Sequence, residues 1–303
     1  MSEQAPPVSP AGLFASRAGC ILAAMKGPAA VRWRKLVQSR LGEMERLQAG
    51  RGTIGAAFWD SRAKRFAHRM GVATVTGDPF YRRLRRATTR ASTVIDVGSG
   101  PGRFTLTLAP HVAAVTAVDP SGRMLDMCRK QARAMGLANV TCVRGRWEES
   151  EVPTVDVAFS SYVLPLVADA PRFVTKLDAS ATERVLLYLG AYTADAIMDP
   201  LWRHFHGTSR KPGPSYLDAA DVLRELGIVP DIEVVEVAVR TRFKSVADAA
   251  KDYRDQLCLP DTPEVRKELR GLLTHWLVRR GDGLGVPLKT VPAAIISWVP
   301  KRA

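Results

Sequence analysis

The chain has 303 residues, 46% hydrophobic and 24% charged, a composition that fits a soluble folded protein of one large domain or two small ones. Its formal charge of +14, from 44 Lys plus Arg against 30 Asp plus Glu, excludes an acidic, self-solvating chain and admits anionic partners. No apolar run approaches the roughly 18 residues of a membrane span, and Cys20, Cys128, Cys142 and Cys258 lack any CxxC spacing, so no zinc ribbon or disulfide framework is expected and a reducing, cytoplasmic setting fits.

Residues 1–10 (MSEQAPPVSP) are rich in Pro and Ser, and residues 1–28 read as a flexible basic amino terminus. Residues 1–90 hold 17 Lys plus Arg against 5 Asp plus Glu, so +12 of the +14 lies there. Such a region can contact nucleic acid, an acidic partner or an anionic membrane surface, or can simply be a solvated helix face. Residues 11–40, with six basic and no acidic side chains, also have the character of an organellar transit peptide.

Residues 29–90 read as a helical segment. From Ala29 to Gln48, Val31, Trp33, Leu36, Val37, Leu41, Met44 and Leu47 recur at helical spacings, and Gly50, Gly52 and Gly55 then break the pattern. A second helix is expected from about Ala57 and a third around Phe80 to Thr88.

Residues 91–303 then alternate. Strands are predicted at Thr93 to Val97, Val115 to Val118, Val140 to Arg144, Val155 to Ser160 and Val185 to Leu189, with helices between them. Near-continuous apolar strands joined by helices imply an α/β fold with a doubly wound, mostly parallel sheet. A helix from Asp218 to Leu226, a strand from Ile232 to Val239 and a last strand from Ala293 to Val299 make seven strands, with one reversed strand expected at the edge. Residues 246–280 read as a helical insertion.

VIDVGSGPGRF, at positions 94–104, places Gly98, Gly100 and Gly102 between a buried strand and a helix. No GxxxxGK[ST] is present, so a triphosphate loop is excluded. The dinucleotide pattern GxGxxG would need glycine where Arg103 stands, and the acid Asp96 is unsuited to a diphosphate. Spacing alone is weak, since Gly281, Gly283 and Gly285 spell GxGxG again, in what reads as a loop before the last strand.

The following strand ends strengthen the first copy. Asp119 ends the second strand, 17 residues past Gly102, where an acid can accept bonds from both ribose hydroxyls of an adenosine. GRWEE places Trp147 and Glu148 after the third strand, and Ser160, Ser161 and Tyr162 end the fourth. Asp119 read as a helix cap and Trp147 read as core are the structural alternatives.

These residues resemble the class I S-adenosylmethionine-dependent methyltransferases, and within them the broad quinone-biosynthesis type, over about residues 55–190. The resemblance implies a Rossmann-like methyltransferase fold. It also implies S-adenosylmethionine as cofactor, with S-adenosylhomocysteine as product. DVGSGPG is similar to the first family motif, which implies a cofactor-binding loop of Asp96, Gly98, Ser99, Gly100 and Gly102, in which the glycine backbone lets the methionine part approach and Asp96 organises the turn. AVDPSGRML is similar to the next motif, which implies ribose binding by Asp119 and adenine contacts from Pro120, Ser121 and Met124. GRWEE departs from a common GDAE-like form, since Arg146 replaces an acid. Arg146, Trp147 and Glu148 are then the adenine-side candidates, with Ser160 and Ser161 on the same rim. FWDSRA resembles a segment that often precedes the core, so Trp59 and Arg62 are expected to close over the cofactor, Arg62 pairing with its carboxylate.

The loop SSYVLPL lacks [ND]PP[YFW], which disfavours a planar amino acceptor. Acceptor candidates are Tyr162, Tyr192, Trp202, His204, His206 and Tyr216, with Tyr162 or His206 as possible catalytic groups; no metal site is expected. The expected function is methyl transfer to a small organic molecule on O, N or C. The alternatives are methylation of RNA or protein through the basic first 90 residues, or a cofactor-binding regulatory protein without turnover.

Overall fold

The computed structural model describes residues 27–47, 59, 60, 63, 75–191 and 197–301. Arg62 and Tyr192 lie outside the described residues, as do residues 11–26 of the transit-like stretch and most of the second predicted helix. Among the described residues no helix is long and apolar enough to cross a membrane.

The first helix, α1 (Pro28–Leu47), buries Ala29, Ala30, Trp33 and Val37. The next, α2 (Pro79–Arg86), starts where Asp78 accepts the Phe80 N–H, with Pro79 in the first turn. Then follow β1 (Thr93–Val97), α3 (Arg103–Leu108), β2 (Ala114–Asp119), α4 (Gly122–Ala134), β3 (Val140–Arg144), β4 (Val155–Ser161), α5 (Ala170–Ser180) and β5 (Ala181–Gly190). The carboxyl-terminal third holds α6 (Asp199–His206), α7 (Tyr216–Glu225), β6 (Asp231–Ala238), α8 (Val246–Gln256), α9 (Pro263–Trp276), β7 (Val278–Arg280), β8 (Gly283–Gly285) and β9 (Thr290–Trp298).

The seven-stranded sheet has the order β3-β2-β1-β4-β5-β9-β6. The first five strands pair in parallel, and β9 runs antiparallel to both neighbours. Order reverses between β1 and its flanks β2 and β4, the switch point at which open α/β sheets bind ligands. One expectation is corrected here: the reversed strand stands one place in from the edge. Residues Ala293 to Trp298 are buried throughout and must be covered on both sides, whereas β6 (DIEVVEVA) alternates acids with valines and carries no fully buried residue. The edge therefore falls to β6.

Helices cover both faces. On one, α1, α5 and α7 pack on Ile95, Val97, Leu187, Ile296 and Trp298. On the other, α2 and α3 press Phe80, Leu84, Phe104 and Leu108 on Val94, Val157, Leu186 and Ile295, and α4 adds Leu125 and Cys128. Helix α1 is fastened at its start: Glu225 of α7 accepts the Ala29 N–H at 2.7 Å and the Ala30 N–H at 3.1 Å, and Trp33 Nε1 donates to the Val167 carbonyl at 2.8 Å.

A third cluster joins α6, α8 and α9 around Trp202, Tyr253, Leu269 and Leu273. The second GxGxG is not a plain loop: Gly281 turns the chain, and Gly283–Gly285 pair with Val278–Arg280 as a two-stranded ribbon.

Candidate functional site

Strand β1 ends in the glycine loop. Gly98 and Ser99 both donate to the Val118 carbonyl, at 2.8 and 3.1 Å, which ties the loop to β2. Gly98 has φ +73°, and a Cβ there would collide with Val163 Cγ2. Gly102 has φ +90°, and its Cβ would meet Cys128 Sγ at 2.6 Å. Left-handed backbone and close neighbours together require glycine at both positions. The Ser99 hydroxyl is buried without a hydrogen-bond partner. An orphaned polar atom inside a glycine loop is what a site for a polar ligand leaves behind.

Two carboxylates brace this loop. Asp96 is buried, and its Oδ2 accepts from Thr105 Oγ1 at 2.6 Å. Burial pushes its pKa up to about 7, against the pull of the Thr105 hydroxyl and with a push from Asp119. Asp119 accepts the Gly100 N–H at 2.9 Å on Oδ2 and the Ser121 N–H at 2.8 Å on Oδ1. Each oxygen keeps a lone pair for a further donor. Burial raises its pKa too, with those two amides acting the other way. Partly desolvated carboxylates of this kind repel phosphate and favour a cation or hydroxyl donors.

Ser121 caps α4 by accepting the Met124 N–H at 3.2 Å, and Met124 is buried under that turn, with Pro120 half-buried before it. Asp60 also reaches this rim: it accepts the Ser121 hydroxyl at 2.5 Å and the Arg123 N–H at 3.2 Å. The Ser121 bond holds its pKa below the usual range. Sequence reasoning assigned the preceding segment's role to Trp59 and Arg62 and passed over Asp60 between them. Trp59 is half-buried.

The third-strand candidates separate. Trp147 lies in the core, edge-on to Phe173 at 6.3 Å, and its Nε1 donates to the Phe173 carbonyl at 3.1 Å. Lys176 clamps the turn from above, donating to the carbonyls of Trp147 and Ser150. The expectation that Trp147 lines an adenine site is thus replaced by a structural role, because the indole N–H and ring are already engaged. Arg146 points to solvent and pairs with Glu149 at 3.6 Å, and Glu148 is half-buried. Ser160 donates to the Val97 carbonyl at 2.9 Å, tying β4 to the loop strand, and Ser161 is half-buried.

Tyr162, just past β4, takes φ +60°, rare for a residue with a side chain. Its N–H donates to the Tyr188 carbonyl at 2.8 Å, and its ring tilts on the Tyr188 ring at 5.0 Å. Beside them, Asp78 accepts from Arg103 Nη2 at 2.7 Å.

The remaining acceptor candidates do not join this group. Trp202, His204 and His206 lie on helix α6, not on a strand, so the two imidazoles diverge. His204 Nε2 meets Glu268 at 2.7 Å, and His206 Nε2 meets the Leu257 carbonyl at 2.8 Å while its ring packs on Trp202. These contacts fasten α6 to α8 and α9. Tyr216 opens α7 and packs against the main core. Asp78, Arg103 and Tyr188 were missed in the sequence, and only Asp78, placed before Pro79, carried a local signal, that of a helix cap.

Residues 94–180 match the methyltransferase-domain family. The chain is 28% identical over 181 residues to an uncharacterized protein of Haemophilus influenzae, a stretch covering 59% of this chain and 66% of that protein, just under two thirds of it. Among solved structures, the YcgJ protein of Bacillus subtilis superposes with a TM-score of 0.51 at 14% identity, over 74% of this chain and 98% of that one. Magnesium protoporphyrin IX methyltransferase of Synechocystis, solved with S-adenosylhomocysteine, is similar at a TM-score of 0.46 and 17% identity, over 66% of this chain and 89% of that one. The matched residues 94–180 thus lie in a sheet with the order of a Rossmann-like methyltransferase fold.

Proposed function

We propose, from the premise that the chain carries the methyltransferase domain of a class I S-adenosylmethionine-dependent enzyme, that it methylates a small organic molecule. One observation carries the reading most directly. The left-handed glycine loop carries an orphaned Ser99 hydroxyl and is braced by the buried carboxylates Asp96 and Asp119. That donor set suits a ligand with a cationic end and neighbouring hydroxyls, and it opposes the phosphates of a dinucleotide or triphosphate.

In this reading Asp119 accepts the ribose hydroxyls, because each of its oxygens has one backbone donor and room for another. The amides and glycines from Gly98 to Gly102, with Ser99 Oγ, receive the methionine part. Asp96 holds the turn through the Thr105 hydroxyl. Pro120, Ser121, Met124 and Glu148 border the adenine, and Ser160 supports the loop from β4. S-adenosylmethionine supplies a sulfonium methyl group, which passes to an acceptor lone pair while the carbon–sulfur electron pair stays on sulfur. The chain's task is then to align the acceptor in line with that bond and to keep water away.

Calorimetric titration of the purified protein with S-adenosylmethionine tests this. Binding is expected, and Asp119→Ala should weaken it by about tenfold or more, the loss of two charge-assisted bonds. A wild-type protein that takes up no S-adenosylmethionine would end the reading.

A further inference from the structure

Helix α2 keeps its apolar and its basic residues on opposite sides. Phe80, Tyr81 and Leu84 are buried against the sheet. Arg82 and Arg86 stand exposed on the outer face, one turn apart, with Arg83 and Arg85 half-buried on either flank. The turn after the helix adds Arg90, also exposed. Residues 82–90 thus hold five arginines and no acid. Burial, and then the charges of Arg85 and Arg90, push the pKa of His111 down, which places this end of the face beside the loop before β2. At the other end Arg240 lies against Gly77.

The fold does not neutralise this charge. Among the described residues none of the five arginines makes an ion pair. Arg82 donates to the Gly77 carbonyl at 3.1 Å and Arg85 to the Thr88 hydroxyl at 3.4 Å, both uncharged acceptors. Asp78, the nearest acid in sequence, is buried and engaged by Arg103 and by the Phe80 N–H. The acids of the neighbouring edge strand β6 do not reach the face either. Elsewhere the chain does match such groups: Arg32, Arg203 and Arg254 each meet one or two carboxylates. Like charges one helical turn apart oppose helix formation, so folding alone does not favour the arrangement.

We propose that the outer face of α2, continued by Arg90, binds a single strand of nucleic acid through its phosphodiester backbone. Charge complementarity selects a polyanion, and the lack of apolar surface selects which one. No large hydrophobic side chain among residues 75–92 is exposed. A helix that lies on a membrane inserts an apolar face, and α2 has already committed Phe80, Tyr81 and Leu84 to the core. A protein partner is met by an apolar centre inside a polar rim, which this face lacks. A phosphate backbone needs only charge and hydrogen bonds. The cations are all arginines, whose planar forks hold two phosphate oxygens at once. Residues one turn apart on a helix have Cβ atoms about 5–6 Å apart, so Arg82 and Arg86 form a narrow row on a convex surface that follows one strand. Contacts to the backbone alone carry no preference for base. This inference goes beyond the proposed function and does not depend on it.

Fluorescence anisotropy with labelled oligouridylate and oligothymidylate, on the full chain in a salt series from about 50 to 300 mM, is the test. Both probes should bind, within about threefold of each other. Affinity should fall with salt on a logarithmic slope of about −3, at roughly 0.7 per phosphate contact. The triple variant Arg82→Gln, Arg86→Gln, Arg90→Gln should bind about tenfold more weakly or worse, with a slope shallower by about 2. A control triple, Lys251→Gln, Lys267→Gln, Arg270→Gln, removes the same charge from exposed positions on α8 and α9 and should lose less than about threefold. Gln is a good helix former, so both variants should melt with the parent and keep its affinity for S-adenosylmethionine. Failure of both oligonucleotides to bind at the lowest salt would overturn the inference. Equal losses in the two triple variants would do so too, by assigning the binding to the net charge of the whole chain. Displacement of the probe by phosphatidylserine vesicles or polyglutamate more readily than by unlabelled oligouridylate would give the face to a membrane or an acidic protein, which also overturns it. A parent protein that binds the strand but takes up no S-adenosylmethionine would uphold this inference while ending the proposed function.

Discussion

Replacing Asp96 by Asn changes one charge and almost no volume, and the structure gives the size of the effect. An unfolded aspartate titrates near its ordinary value of 3.8, whereas burial holds the folded one at about 7. Below pH 3.8 both states carry the proton and nothing is lost. Between 3.8 and 7 the folded chain keeps a proton that the unfolded chain has released, so stability falls as pH rises. Above 7 the loss is complete. At about 1.4 kcal/mol per pH unit, the gap gives roughly 4 kcal/mol as the full effect, and relaxation around the ionised group brings the expected range to roughly 2–4 kcal/mol. Asn at this position still accepts from Thr105 Oγ1 through its carbonyl oxygen and does not titrate. Urea denaturation of both proteins between pH 4.5 and 8 should therefore show the variant gaining on the parent as pH rises. The gain should level off above pH 7. A difference that stays flat across that range, or that runs the other way, would refute the assignment of a buried, proton-holding carboxyl at the end of β1.

Two further outcomes follow from the same geometry. Gly98→Ala should cost roughly 2–4 kcal/mol of stability, from the left-handed backbone and from displacement of Val163, and should abolish cofactor binding; denaturant midpoints and calorimetry read the two separately. Trp147→Phe should cost about 1–2 kcal/mol through the lost bond to the Phe173 carbonyl, while S-adenosylmethionine affinity changes less than about twofold. A larger loss of affinity would return Trp147 to the cofactor site.

The parallel half of the sheet was readable because strands buried on both faces must be apolar throughout, so Val94, Val115, Val157 and Val185 announce themselves. The position of β9 was not. Its sequence shows a buried strand, but which neighbours it takes depends on the half-exposed pattern of β6, sixty residues earlier. Helix α6 was missed because eight residues beginning DPLW and ending in two histidines give too few turns to show a period. The glycine loop and Asp119 could be read because their residues are close in sequence and each has a local task. The Asp78, Arg103, Tyr162 and Tyr188 group could not, since nothing local links a helix cap to a tyrosine 110 residues away. Trp147 shows the converse: a tryptophan at a strand end fits a ligand rim and a core equally well, and only its hydrogen-bond partner decides.

The placement of β9 also governs how the molecule is completed during synthesis. Five parallel strands and their helices can assemble as they emerge, each pairing with a neighbour already made. Strand β6 cannot, for the strand that joins it to β5 is formed by residues 290–298. Until those residues leave the ribosome, β5 presents an open apolar edge and β6 has no partner at all. Loss of that short stretch would therefore leave two gaps in the sheet at once. A nascent chain stalled before residue 290 is accordingly the form of this protein most exposed to aggregation.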